Sequence, residues 1–262
     1  MRALLTVLIG VTVLGAQQAQ ALVYPVGDSA GLIEAIRLAN AEPDTDIISL
    51  EKGLYVLQEQ HGADAALPEI TSTIIIRGNG AEIRRYASTD FRLLHIARDG
   101  VLRLENLVLA EGSRGAIRNY GELDLRRVSI MDNTTLAGAA IVDNFGKAQV
   151  IDCDISFNTI ASAKRDAGII VNYGQIEVRD TRFTGNRLTR SYDSLALASS
   201  MLNYGEATLD SVLISENDGE PMSEGAPQAP LVNLGNGRLE LRRVQEQNNL
   251  PSAGLVARVL SP

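Results

Sequence analysis

Asn119-Tyr120-Gly121-Glu122-Leu123-Asp124-Leu125 returns three times along the chain, as Asn144-Phe145-Gly146-Lys147-Ala148-Gln149-Val150, Asn172-Tyr173-Gly174-Gln175-Ile176-Glu177-Val178 and Asn203-Tyr204-Gly205-Glu206-Ala207-Thr208-Leu209. Each copy is followed by a second asparagine at a constant distance: Asn119 to Asn133, Asn144 to Asn158, Asn172 to Asn186 and Asn203 to Asn217 all span 14 residues. The stretches between units vary, from 11 residues (Asn133 to Asn144) to 14 (Asn158 to Asn172) and 17 (Asn186 to Asn203). A constant segment alternating with an adjustable one is the pattern of stacked coils carrying one variable loop per turn.

Alignment on Gly100, Gly121, Gly146, Gly174, Gly205 and, with a two-residue insertion, Gly237 exposes the columns of such a coil. Two and four residues after the glycine the positions are apolar (Leu102, Leu123, Ala148, Ile176, Ala207, Leu239; then Leu104, Leu125, Val150, Val178, Leu209, Leu241). Seven and nine after it they are mostly apolar again, as Val128 and Ile130 or Val212 and Ile214. The period of two on either side of a phase reset at positions five and six predicts strand, corner, strand. A third strand precedes the glycine, with Ile117, Val142, Ile170 and Met201 facing inward. The pattern therefore predicts an all-β fold, a single-stranded parallel β-helix with three short strands per coil, each pairing with its equivalent in the next coil.

The asparagine that opens each motif is in phase with the inward column, where stacked amides can hydrogen-bond along the axis. Tyr120, Phe145, Tyr173 and Tyr204 form a second column, read as an aromatic stack at a corner before a sugar platform. Ahead of the coils, Leu32, Ile36 and Ala39 share one helical face, with Asp28 or Ser29 as cap and Pro43 and Asp44 as the stop. An amphipathic helix there predicts a lid over the open apolar end of the solenoid.

Composition narrows the function classes. The 262 residues hold 24 basic and 32 acidic side chains, a formal charge of −8, which disfavours a nucleic-acid partner. One cysteine, Cys153, excludes an intramolecular disulfide, and with His61 and His95 it leaves too few ligands for a thiolate or poly-histidine metal site. Arg2, the apolar run Ala3 to Gly15 and Ala19-Gln20-Ala21 have the form of a cleaved signal peptide, and no later segment has the apolar length of a membrane span. The expected organisation is a signal peptide over 1–21 and a β-helix domain over 22–262. Within the latter, 22–57 form the cap and first coil, 58–249 the coils and 250–262 the C-terminal end. The expected location is secreted, periplasmic or on the cell surface.

Leu32, Glu34, Ala35, Ile36, Ala39, Asn40 and Pro43, followed by Gly53-Leu54-Tyr55, resemble the N-terminal cap of exported bacterial right-handed β-helix proteins of the CSLREA-type and polymorphic outer membrane protein-like group. Leu67-Pro68-Glu69-Ile70, Ile76-Arg77-Gly78-Asn79-Gly80 and the Asn-aromatic-Gly coils are also similar to that group. The resemblance implies a right-handed solenoid and export. The Cys and Ser that open the family motif are absent here, and the group supplies no catalytic residues to carry over.

Chemistry is then sought on the outer columns. Most charges fall opposite a complementary one, as Glu122 on Lys147, Arg103 on Asp124, Glu105 on Arg126, Asp154 on Arg182 and Glu206 on Arg238, with Arg179, Asp210 and Arg242 alternating. The column six after the glycine departs from this rule, setting Asp152 beside Asp180 one coil on from Arg127. Two splayed, solvated carboxylates are the simpler reading. A Ca²⁺ site or an acid/base pair, with Arg127 as partner, is the functional one. The loops Thr134–Gly138, Thr159–Asp166, Arg187–Ser199 and Asp218–Pro230 leave the same corner, and Arg187, Arg190, Tyr192, Asp193, Glu220, Met222 and Glu224 are the binding candidates on the two longest. The leading expectation is a non-catalytic scaffold or adhesin-like protein for a glycan or a cell-surface protein. The alternative is a Ca²⁺-dependent lyase acting on an anionic polysaccharide, for which fold alone is no argument.

Overall fold

The computed structural model describes residues 21–136, 140–163, 167–190, 197–219, 228–250 and 254–259. The chain winds into a right-handed parallel β-helix of about 7 turns, with a single helix among the described residues. Three sheets run along it: a 14-stranded sheet A, a 7-stranded sheet B and a 4-stranded sheet C. Among the described residues the strand pairs are parallel, and the constant segments keep the register expected from the repeat, so Lys147, Ala148 and Gln149 sit between Glu122, Leu123 and Asp124 on one side and Gln175, Ile176 and Glu177 on the other.

Each coil enters on sheet B, as Val142–Asn144 does, turns at Phe145-Gly146 and runs along sheet A as Lys147–Ile151 and Asp154–Ser156. The two strands after the glycine belong to one sheet. They are separated by a residue in the left-handed region, Arg127 (φ 52°), Asp152 (54°), Asp180 (50°) or Ser211 (57°), which resets the inward phase. A second left-handed residue follows the inner strand, at Asp132 (φ 54°), Phe157 (56°), Gly185 (65°) or Glu216 (56°). Asparagine and aspartate enter this region more readily than other side chains, so the acidic residues of the first column have a backbone reason to be there.

Beyond the second corner the structure departs from the three-strand expectation. Thr134–Leu136, Thr159–Ala163, Arg187–Arg190 and Asp218–Gly219 pair in order as sheet C, so the segments expected to be loops begin as strands. Thr135, Ile160 and Leu188 are buried there, forming an inward column too short to stand out beside stretches of unequal length.

Two amide ladders line the interior. Asn119, Asn144, Asn172 and Asn203 each donate Nδ2–H to the Oδ1 of the next coil's asparagine, ending on Asn233, at 2.7–2.8 Å. Asn133, Asn158, Asn186 and Asn217 form a parallel ladder ending on Asn249, at 2.9–3.0 Å, and each also donates its backbone N–H to the same oxygen. Every one of these donors is buried, and the ladders satisfy backbone groups at the corners that no strand can reach. The motif glycines are explained by contact: a Cβ on Gly146 or Gly174 would collide with the carbonyl oxygen of the glycine one coil earlier.

Helix α1 (Ser29–Ala41) covers the N-terminal end, burying Leu32, Ala35, Ile36 and Ala39, and Asp28 is its cap, accepting from Gly31 N at 2.7 Å. Asn40 fastens the helix to the first coil through Glu69 O (2.7 Å) and Thr71 N (2.9 Å). At the other end Glu246 occupies the inward position held by Ile214 one coil earlier, and Arg238, Glu240 and Arg242 point outward from the edge strand. Charges on an edge strand oppose further pairing.

Candidate functional site

Arg127, Asp152 and Asp180 are exposed at consecutive coils of the first left-handed corner, as their column requires. Their backbone is held by the sheet: Asp152 donates its N–H to Arg179 O at 3.0 Å and Asp180 to Asp210 O at 3.1 Å. Among the described residues no group of three or more His, Cys, Asp or Glu side chains is placed to hold a metal ion. Arg187 is exposed at the start of its sheet C strand, with Nε 4.0 Å from Asp218 Oδ2. The strand Arg187–Arg190 includes Arg190, whereas Tyr192, Asp193, Glu220, Met222 and Glu224 lie outside the described residues.

The aromatic column is a continuous stack. Ring centroids are 4.9 Å apart from Tyr120 to Phe145, 4.7 Å from Phe145 to Tyr173 and 5.0 Å from Tyr173 to Tyr204, with interplanar angles of 15°, 6° and 7°. The faces are occupied by neighbouring rings, leaving edges toward solvent, which favours the corner role over a sugar platform.

The one-after and three-after columns of sheet A together line a shallow groove of about 630 Å³ along the axis, from Thr73 and Val101 to Glu206 and Thr208. Strand alternation dictates its chemistry, since the residues between those positions (Leu123, Ala148, Ile176) face the core. Lys147 and Glu122 approach to 3.2 Å, Arg103 and Asp124 to 2.8 Å and Arg238 and Glu206 to 3.7 Å, the cross-strand pairs expected from the columns. The five-after column behaves differently. Arg126 bonds Asp124 at 3.0 Å and Arg242 bonds Glu240, along their own strands, while Asp210 takes Arg243 at 2.8 Å. Guanidiniums on these long stems reach a carboxylate two residues away as easily as one across the ladder.

A second concentration of charge, on the outer face of sheet B, escaped the sequence reading. His95, Arg118 and Asp143 are in register on successive coils. Asp64, from the first coil, accepts from Arg92 Nε at 2.9 Å and Arg118 Nη1 at 2.8 Å; Asp143 accepts from Arg118 Nη2 at 3.2 Å and lies 3.6 Å from Arg92 Nη1. The four side chains close a ring of alternating charge around an Arg92 that is only 1% exposed. Burial favours the protonated form of Asp64, but Arg92, Arg118 and His95 outweigh it and hold its carboxyl below the ordinary range. Burial lowers the Arg92 guanidinium from its ordinary value. His95 Nδ1 stands 3.2 Å from Asp64 Oδ1, and its ring tilts against Tyr120 at 5.4 Å. Farther along the same face the column becomes apolar, with Val171, Leu202 and Val232 buried alongside Ala198 and Ala229. The alternation of Arg118, Asp143, Val171 and Leu202 just before each ladder asparagine is the signal that would have located this face. The ring closes on itself and clamps four successive coils together.

No protein-family model and no curated protein matches the chain. Among the described residues no helix is long and apolar enough to cross a membrane.

Proposed function

We propose that the chain is an exported, non-catalytic β-helix scaffold of the CSLREA-type and polymorphic outer membrane protein-like kind, binding an elongated ligand along the groove of sheet A. Export is supported by the basic start, apolar run and small-x-small site of residues 1–21, and the group by the cap residues Leu32 to Pro43. The observation that carries the binding reading is the groove itself: exposed Glu122, Lys147, Gln175 and Glu206 present polar groups in one column on successive coils, about 4.8 Å apart, with Gln149 and Glu177 in the column beside it. A ligand that repeats along its length meets the same contact several times, and the gain accumulates without any single deep pocket. The partner this fits is a glycan chain.

The lyase alternative rests on Asp152, Asp180 and Arg127, and the left-handed corner already accounts for their placement. The test is retention on an array of immobilised polysaccharides, repeated with Gln149→Trp, which fills the groove from an exposed position. Retention is expected to fall at least tenfold. Unchanged retention would move the site off sheet A.

A further inference from the structure

We infer that the groove selects an uncharged, hydroxyl-rich glycan, an inference that rests on the groove being the binding site and names what it takes. Each ionic side chain lining it is already matched. Arg103 lies 2.8 Å from Asp124, Lys147 3.2 Å from Glu122, Glu177 3.9 Å from Arg179 and Glu206 3.7 Å from Arg238. A polyanion entering the groove would have to displace Glu122 and Asp124 from the two cations and would still face the carboxylates of Glu177 and Glu206. A polycation meets the mirror problem, because Arg179 and Arg238 stand beside those same carboxylates. Exchanging one exposed ion pair for another brings no net gain, so charge on the ligand adds nothing to binding here.

Hydrogen-bonding capacity is what the groove keeps in reserve. Gln149 donates one N–H to Glu177 Oε2 at 3.4 Å and Gln175 one to Glu206 Oε2 at 3.2 Å. An amide has two N–H groups and a carbonyl oxygen, so one such bond leaves a donor and an acceptor on each glutamine, and the half-buried Thr208 hydroxyl adds one of each. A ligand built of hydroxyls answers both kinds, whereas carboxylates or sulfates offer acceptors and ammonium groups offer donors. Coils about 4.8 Å apart come close to the length of one sugar ring in an extended chain, so that consecutive rings meet consecutive coils.

The experiment is a calorimetric titration of the purified protein with soluble neutral glycans (dextran, laminarin, xyloglucan, galactomannan), polygalacturonate and chitosan. Each is run at about 0.05 and 0.5 M salt, where screening of exposed charges differs several-fold. The double variant Gln149→Ala/Gln175→Ala accompanies the native chain; both side chains are exposed, and circular dichroism checks that its fold is unchanged. The inference expects at least one neutral glycan to bind with an affinity that changes less than twofold with salt and falls at least tenfold in the variant. Binding of polygalacturonate or chitosan alone, weakened by the variant, would overturn the inference and leave the groove as the site. Binding that the variant does not weaken, or no binding by any probe, would overturn the groove reading together with it.

Discussion

Asn144 Nδ2 lies 2.7 Å from Oδ1 of Asn172, and both residues are fully buried, 28 positions apart in the chain. The same oxygen that anchors Asn144 belongs to an amide that donates onward to Asn203 and to the carbonyls of Gly174 and Glu206. Loss of Asn172 therefore strands polar groups in two neighbouring coils. Asn172→Ala is expected to destabilise the solenoid by about 1–3 kcal/mol, the cost of buried groups left unpaired. Gln175→Ala, three residues on at an exposed position, is expected to be nearly neutral, and urea unfolding of the two variants compares them. Coincident midpoints would contradict the ladder's role.

Asp64 holds two guanidiniums, one of them buried. Asp64→Ala is expected to cost about 1–3 kcal/mol, because Arg92 loses its hydrogen-bonded carboxylate and keeps only Asp143 at 3.6 Å. The pH dependence has a definite sign. The folded carboxyl titrates below its unfolded value of about 3.9, so its contribution is complete above that value and disappears as the pH falls through the lower, folded one. Unfolding midpoints measured from pH 7 down to pH 2 should therefore converge for the native chain and Asp64→Asn at the acid end. A difference that persists unchanged at pH 2 would contradict the charge ring.

The coil itself was legible because its causes are local. A period of two, a glycine that must admit a neighbouring carbonyl and an asparagine in the inward phase each mark single positions, and they repeat. Sheet C was not legible, because Thr135, Ile160 and Leu188 are lone inward residues beside segments of unequal length. Column reasoning located Glu122 with Lys147 and Asp154 with Arg182, which meet across the ladder. It failed for Arg242, which found Glu240 on its own strand. The ring around Arg92 joins residues 64, 92, 118 and 143, and Asp64 precedes the regular repeat, so no fixed spacing pointed to it.

Asp152 and Asp180 separate a backbone role from an ionic one. In the corner role, Asp180→Asn keeps a side chain suited to the left-handed region and leaves stability within about 0.5 kcal/mol, whereas Asp180→Val costs about 1–2 kcal/mol. Millimolar Ca²⁺ is expected to leave the melting temperature of the native chain unchanged. A concentration-dependent rise that Asp180→Asn abolishes would instead assign the pair to an ion, since a ligand selective for the folded state raises its stability.

The segments after sheet C offer the contrasting location for recognition. Shortening Arg187–Ser199 and Asp218–Pro230 toward the length of Thr134–Gly138 by excising 191–196 and 220–227 is expected to preserve the fold, because the paired strands of sheets B and C on either side lie outside the excised residues. If the groove binds, glycan affinity in the shortened protein stays within twofold of native by titration calorimetry. A loss of tenfold or more would place recognition on these segments, where Arg187, Tyr192 and Glu220 reside.

Hydroxyl-radical footprinting of the protein with a saturating neutral glycan reads the location of binding residue by residue. The account predicts that protection is confined to the outward positions of sheet A, centred on Lys147, Gln149, Gln175 and Glu177, while Asp152, Asp180 and Arg187 label as in the free protein. Protection at Arg187 or at the Asp152–Asp180 corner, with the sheet A positions unprotected, would contradict it.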